Sequence, residues 1–196
     1  MRSWSAEAWV TDQPEGSSDE ALCRRVAARD EAAFDLLVAR YQGRAYRLAW
    51  SMLRDAEDAR DVSQDAFIRI WDSAGRFRGD ARFSTWFYRI LVNLCLDHRR
   101  RRRWWALRVA SDDEPLVERQ PAREADPGER VSEAQAMARL WDAVHRLSPR
   151  QRAAVILHTQ EQLSTAEIAE VLGCAEATVR VHLHRAVAAL RKMVER

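Results

Sequence analysis

Two helix-start signals follow one another near the C-terminus, and they restrict the fold more than any other feature of the chain. In "SPRQ" Ser148 can cap, Pro149 takes the first helical position and Gln151 closes a capping box. "STAE", Ser164 to Glu167, repeats the device thirteen residues after Gln151. The helix begun at Ser164 turns Ile168, Ala169 and Leu172 inward. Gly173 then offers the left-handed backbone that a tight turn between helices needs. A further helix follows, with Val179, Leu183, Ala186, Val187 and Leu190 as its apolar stripe and Arg180, His184, Arg185 and Arg191 off it. The pattern is a helix–turn–helix. Arginines on the free face of its second helix can fork onto guanine and hold phosphates in a major groove.

The rest of the chain is also helical in period. Of 196 residues only 6 are Gly and 5 Pro, which favours long helices over many strands and turns. Apolar residues recur at helical intervals from Ala21 to about Leu53: Phe34, Leu37, Val38, Tyr41, Ala45, Leu48, Ala49 and Met52. Asp55 can cap a second helix running to about Trp71. "SAGRFRGDARF" breaks the period with two glycines and three arginines, a basic loop. A third helix starts near Ser84 and ends in "HRRRRRWW". The composition then inverts. Between Ser111 and Glu133 eight acids face three bases, with three prolines and no aromatic, the signature of a disordered linker. The expected fold is all-α: a tail over residues 1–18, a helical domain over 19–105, an acidic linker over 106–130 and a helix–turn–helix domain over 131–196.

Composition removes several function classes. The N-terminal segment carries no continuous apolar stretch, and no run approaches membrane-spanning length, so neither a signal peptide nor membrane insertion is expected. Cys23, Cys95 and Cys174 are isolated and odd in number, without zinc or disulfide spacing, and read as small buried residues of a reducing cytoplasm. His182 and His184, two apart on one helix, diverge and do not converge on a metal. No converging carboxylates suggest an enzyme, and no cofactor is implied. Lys192 is the one lysine among 32 basic residues, a bias that suits phosphate recognition but that a GC-rich genome explains as well.

The first domain separates the remaining readings. On a helix, Asp58, Asp61, Asp65 and Asp72 of "DARDVSQDAFIRIWD" fall within about 60° of arc. Ala59, Val62, Ala66, Phe67 and Ile70 occupy the adjacent face. Like charges so aligned destabilise an isolated helix, and suggest a basic partner surface. The loop with Arg76, Arg78 and Arg82 leads into "FSTWFYRILVNLCLDHRR", where aromatics interleave with arginines as on surfaces that stack and clamp single-stranded bases. Core packing is the competing account of Trp86 and Phe87, and at least one of the two is expected in the core.

The segments "DARDVSQDAFIRIWD", "FRGDARFSTWFYRILVN" and "LSPRQRAAVILHTQEQLSTAEIAEVLGCAEATVRVHLHRAVAALR" resemble, in order and over roughly residues 20 to 195, an extracytoplasmic-function (ECF) sigma factor of the sigma-70 family. The resemblance implies a bacterial transcription initiation factor, cytoplasmic and without catalysis of its own, that binds core RNA polymerase and promoter DNA and is restrained by an anti-sigma factor. It implies that Asp58, Asp61, Gln64 and Asp65 meet the beta-prime clamp helices. The loop from Arg76 through Arg78 and Arg82 to Phe83, with Trp86, would hold a flipped base of the minus-ten element. Arg89, Asn93 and Arg100 would approach the duplex edge of that element. Thr178, Arg180, Val181, His184 and Arg185 would read the minus-thirty-five element, and the acidic linker would thread the polymerase's RNA channel. Val181 stands where many relatives have serine, and Val187 where many have arginine, which bears on sequence preference. A freestanding DNA-binding regulator is the rival reading, favoured if the acidic stripe is inert.

Overall fold

A computed structural model describes residues 18–109 and 129–194. The described residues form eight α-helices and one short 3-10 turn, with no strand among them. The expected tail, apart from Ser18, and residues 110–128 of the expected linker lie outside the described residues, while the linker's two ends, 106–109 and 129–130, belong to helices.

The first four helices are α1 (Asp19–Ala27), α2 (Glu31–Leu53), α3 (Ala56–Ser73) and α4 (Phe83–Val109). Where the periodicity suggested one helix from Ala21 to Leu53, the chain breaks: Arg29 takes a left-handed backbone (φ 65°) and Asp30 caps α2 through the Ala33 N–H. The cap was visible as an acid before "EAAF", but apolar periodicity ran across it. Asp55 caps α3, as its position predicts, accepting from the N–H groups of Glu57 and Asp58 at 3.0 Å. The 3-10 turn Ala74–Arg76 follows α3. Helix α4 is set by a residue far away in sequence: Glu20 of α1 accepts the Phe83 N–H at 3.0 Å, and that bond holds its carboxyl below the usual range. Tyr41, Phe67, Phe77, Phe83, Trp86, Phe87 and Tyr88 pack as a connected aromatic cluster beneath it.

The second group is α5 (Glu129–Arg146), α6 (Pro149–Thr159), α7 (Thr165–Leu172) and α8 (Glu176–Val194). Both predicted capping boxes are present, Ser148 with Gln151 and Ser164 with Glu167. Gly173 ends α7 with φ 61° and ψ 46°, the left-handed cap that lets α8 turn away at once. In α8 Val179 and Ala186 are fully buried, and Leu183 and Leu190 half-buried. Val187, expected on that stripe, is 46% exposed, because the hydrophobic arc of α8 is narrower than residue type alone suggests. Of the cysteines, Cys23 and Cys95 are buried and Cys174 half-buried.

The two groups share one hydrophobic core, continuous from Leu22 to Val179. Helix α6 packs on α2 and α7 packs on α4. At this seam Arg152 of α6 is 1% exposed. Its Nη1 donates to the Met52 carbonyl at 2.8 Å and its Nε to that of Val144 at 3.3 Å, and its Nη2 donates to that of His145. Those carbonyls belong to the last turns of α2 and α5, where oxygens lack intrahelical donors and the helix dipole is negative. One guanidinium therefore caps two helices, one from each side. Ser51 and Gln160 exchange hydrogen bonds across the seam at 3.1 and 3.2 Å, and Tyr88 donates to the Glu161 carboxylate. Arg54, left-handed at the end of α2, lays its guanidinium over Trp50 at 4.3 Å and within 5.7 Å of Trp141, whose rings meet edge to face.

Candidate nucleic-acid and polymerase interfaces

The acidic helix α3 divides into a buried and an exposed face, as its pattern predicts. Ala59, Val62, Ala66 and Ile70 are buried, while Asp61, Gln64, Asp65 and Asp72 are exposed. Asp58 stands apart from them. Its Oδ2 lies 3.1 Å from His98 Nε2 and 2.5 Å from Arg102 Nη1, so this carboxylate ties α3 to α4. His98 Nε2 has no geometrically sound hydrogen bond, which leaves Arg102 as the defined partner. Helical spacing placed Asp58 at the stripe's edge and could not foresee that α4 brings basic groups to it. Ile68, by contrast, is 58% exposed in the midst of the acids, an apolar side chain that spacing places on the same face.

The basic loop and the start of α4 enclose a cleft of about 220 Å³, lined by Arg76, Phe77, Arg78, Gly79, Asp80, Ala81, Thr85, Trp86 and Arg89. Arg76, Arg78, Arg82 and Arg89 are exposed and Trp86 is half-buried, so guanidiniums and one indole edge are available to a base or phosphate. Phe83 is not available. It is 1% exposed and packed among Tyr41, Phe77, Trp86 and Phe87, because its place at the first turn of α4 points it into the core. Of the pair Trp86 and Phe87, Phe87 is the core residue. The cleft has one wall that sequence reasoning missed: Glu170 of α7 lines it. Glu167, one turn earlier, lies 3.7 Å from Arg82. Its carboxyl sits below the usual range, chiefly through the Ser164 backbone bond, with Arg82 as a lesser cause. Farther along α4, Arg69, Asn93 and Asp97 flank a smaller hollow.

On α8 the residues Thr178, Arg180, Val181, His184 and Arg185 are all exposed, on the side opposite Val179 and Ala186. Glu176 accepts from Thr165 Oγ1 at 2.5 Å and from Arg180 at 2.7 Å, and both hold its carboxyl down. The first bond fixes the start of α8 on α7; the second tethers Arg180 in solvent. His182 faces inward, and burial, followed by Arg150 and Arg185, lowers its pKa. Among the described residues no group of His, Cys, Asp or Glu could hold a metal ion, and no helix is long and apolar enough to cross a membrane.

An acidic face, an arginine-lined cleft and the exposed second helix of a helix–turn–helix thus stand on one helical body. Comparison with known proteins gives the same order of parts. Residues 37–105 match the family Sigma-70 region 2, and residues 137–190 match Sigma-70, region 4. The chain is 39% identical over 180 residues to the ECF RNA polymerase sigma factor SigM of Mycobacterium tuberculosis, covering 92% of this chain and 86% of that one. It is 35% identical over 181 residues to the RNA polymerase sigma-H factor of Pseudomonas aeruginosa, covering 90% and 94%. Its fold is that of CnrH solved with the cytosolic domain of CnrY (TM-score 0.66, 23% identity, 91% of this chain and 98% of that). It is also that of the Bartonella quintana sigma factor RpoE solved with the anti-sigma factor NepR (TM-score 0.63, 22% identity, 83% and 96%). The chain belongs to the sigma-70 family as an ECF sigma factor, a bacterial transcription initiation factor.

Proposed function

We propose that the three surfaces divide the work of initiation. Asp61, Gln64 and Asp65 dock on the beta-prime clamp helices of core polymerase, with Ile68 as the apolar centre of that contact. Asp58 acts from behind, by fixing α3 to α4. The cleft of Arg76, Arg78 and Trp86, with Arg82 beside it, receives a flipped minus-ten base, while Arg89, Asn93 and Arg100 follow the duplex edge. Phe83 supports the cleft from the core. Thr178, Arg180, Val181, His184 and Arg185 read the minus-thirty-five element. The factor works in the cytoplasm, without catalysis of its own, and an anti-sigma factor is its expected restraint.

The observation that carries this reading is the exposed run Asp61, Gln64, Asp65 and Asp72 with no cation of the described chain paired to it by a salt bridge. A freestanding DNA-binding regulator has no use for such a face. Reversing Asp61 and Asp65 to Arg turns attraction to a basic surface into repulsion, at a cost of several kcal/mol. The double variant should keep its helicity and the upstream-element binding of its recognition helix, yet fail to co-purify with core polymerase or start transcription. A folded double variant that binds polymerase like the wild type would sink the docking assignment.

A further inference from the structure

Helix α4 outlasts its core. Phe83, Phe87, Tyr88, Leu91, Val92 and Cys95 are buried, and from Leu96 to Trp105 no residue of α4 is. From Arg99 to Val109 the helix carries six arginines and no acid. Trp104 and Trp105 stand 47% and 61% exposed on it. Cations are favourable in the last turn of a helix, but that effect fades within one turn, and the arginines here run over three. Some are structural: Arg102 pairs with Asp58, and Arg99 donates to the Met52 carbonyl at 3.4 Å. Three of the other four share one side of the helix, and Arg103 lies off it. At roughly 100° per residue, Arg100, Arg101, Trp104 and Arg108 fall in the same 120° of arc as Trp86, Arg89 and Asn93. The Arg108 Cζ lies over Trp104, 3.9 Å from the ring centroid, a cation–π contact that steadies the guanidinium.

We infer that this stripe is a phosphate clamp for the duplex DNA that continues upstream from the minus-ten cleft. The inference rests on the proposed function above and extends it beyond the residues assigned there, to Arg101, Trp104 and Arg108. From Trp86 to Arg108 the helix rises about 33 Å. Past Arg89 the stripe spans roughly eight phosphate spacings of one strand at about 3.4 Å each. Its chemistry is positional, not base-reading: guanidiniums at helical spacing along one line meet a backbone, and they carry no sequence information of their own. Asp97 lies within the arc but is paired with Arg100 at 2.9 Å, which leaves the stripe net basic.

The test uses holoenzyme assembled with the full chain and two promoter fragments, one with its upstream duplex intact and one cut just above the minus-ten element. Arg101→Ala with Arg108→Ala should make the salt dependence of binding to the intact fragment shallower by about 1.8, two phosphate contacts at about 0.9 each. At 0.1 M salt that amounts to up to about eightfold in affinity per arginine lost. The cut fragment should bind wild type and variant alike. Arg103→Ala, an equal charge change about 100° from the centre of the stripe, should leave the slope unchanged, and Arg101→Lys with Arg108→Lys should restore it. Unchanged slope in the alanine variant, equal losses on both fragments, or a variant that no longer assembles with core polymerase would each overturn the clamp. Wild-type holoenzyme that bound neither fragment would overturn the initiation reading itself, and the clamp with it.

Discussion

The two surfaces proposed to bind DNA are held in opposite ways. The recognition helix α8 uses Val179 and Ala186 inside its own domain and presents Arg180, Val181, His184 and Arg185 to solvent. The arginine cleft sits at the seam between domains, and one of its walls, Glu170, comes from the other domain. A duplex could reach α8 with the protein as it stands. A base or phosphate entering the cleft would meet the Glu170 wall, with Glu167 beside Arg82 at its edge. The face of α8 is thus open as it stands, while access to the cleft depends on how firmly the seam is closed. That dependence can be broken at three points, in decreasing order of effect.

Arg152 is the first. A buried guanidinium serving three carbonyls makes bonds worth about 1.5–3 kcal/mol each, and its loss orphans acceptors on both domains. Allowing for water entering the vacated space, Arg152→Ala should cost roughly 3 kcal/mol. For a chain of this size that is about 6–12 °C in melting temperature. Arg152→Lys should recover only part of it, since an ammonium cannot reproduce the planar fork. A thermal melt that did not move would show that the seam holds without this residue.

Arg152 also marks where sequence reasoning stops. The caps at Asp55, Ser148 and Ser164 and the left-handed Gly173 were legible because each depends on residues within four positions of itself. The acidic face of α3 was legible because a helix fixes its own periodicity. Arg152, Asp58, Phe83 and Glu170 were not, because what decides each is an element far along the chain. In "SPRQR" nothing separates an arginine destined for burial from its exposed neighbour Arg150. The roles of Phe83 and Glu170 depend on α4 meeting α1 and α7, and no local pattern encodes that docking.

His145 is the second point, and it is titratable. Burial, then the Arg54 and Arg99 guanidiniums from the first domain, push its pKa down to about 4, against a weaker opposing pull from Ser51 and Asp142. The folded state therefore prefers the neutral imidazole. This contribution is fully present above the unfolded value near 6.5 and is lost as pH falls from there toward 4. At pH 5 the loss is at most about 2 kcal/mol. Urea midpoints should fall between pH 7.5 and 5, and His145→Gln should flatten that part of the pH dependence. An equally steep profile in the variant would assign the acid sensitivity to other groups.

The smallest effect bears most directly on the comparison between cleft and recognition helix. Glu167→Gln with Glu170→Gln removes both carboxylates that α7 sets against the arginines. Glutamine at 167 keeps the capping box, since its amide oxygen can still accept the bonds that Ser164 now makes to the carboxylate. The helix start survives, so the substitution changes charge rather than fold. The Arg82–Glu167 pair spans 3.7 Å with the Arg82 side chain 80% exposed, and pairs of that kind contribute no more than about 1 kcal/mol. The free double variant should therefore bind a short single-stranded minus-ten oligonucleotide up to about fivefold more tightly than the wild type. Its binding of duplex upstream element through α8 should be unchanged, because Arg180 and Arg185 do not touch these glutamates. Fluorescence anisotropy on the two DNAs separates the outcomes. If single-strand affinity stayed constant, the acidic wall would be a spectator of the cleft. If both affinities rose together, the gain would be a general effect of net charge, and the contrast between a covered cleft and an open helix would lose its electrostatic basis.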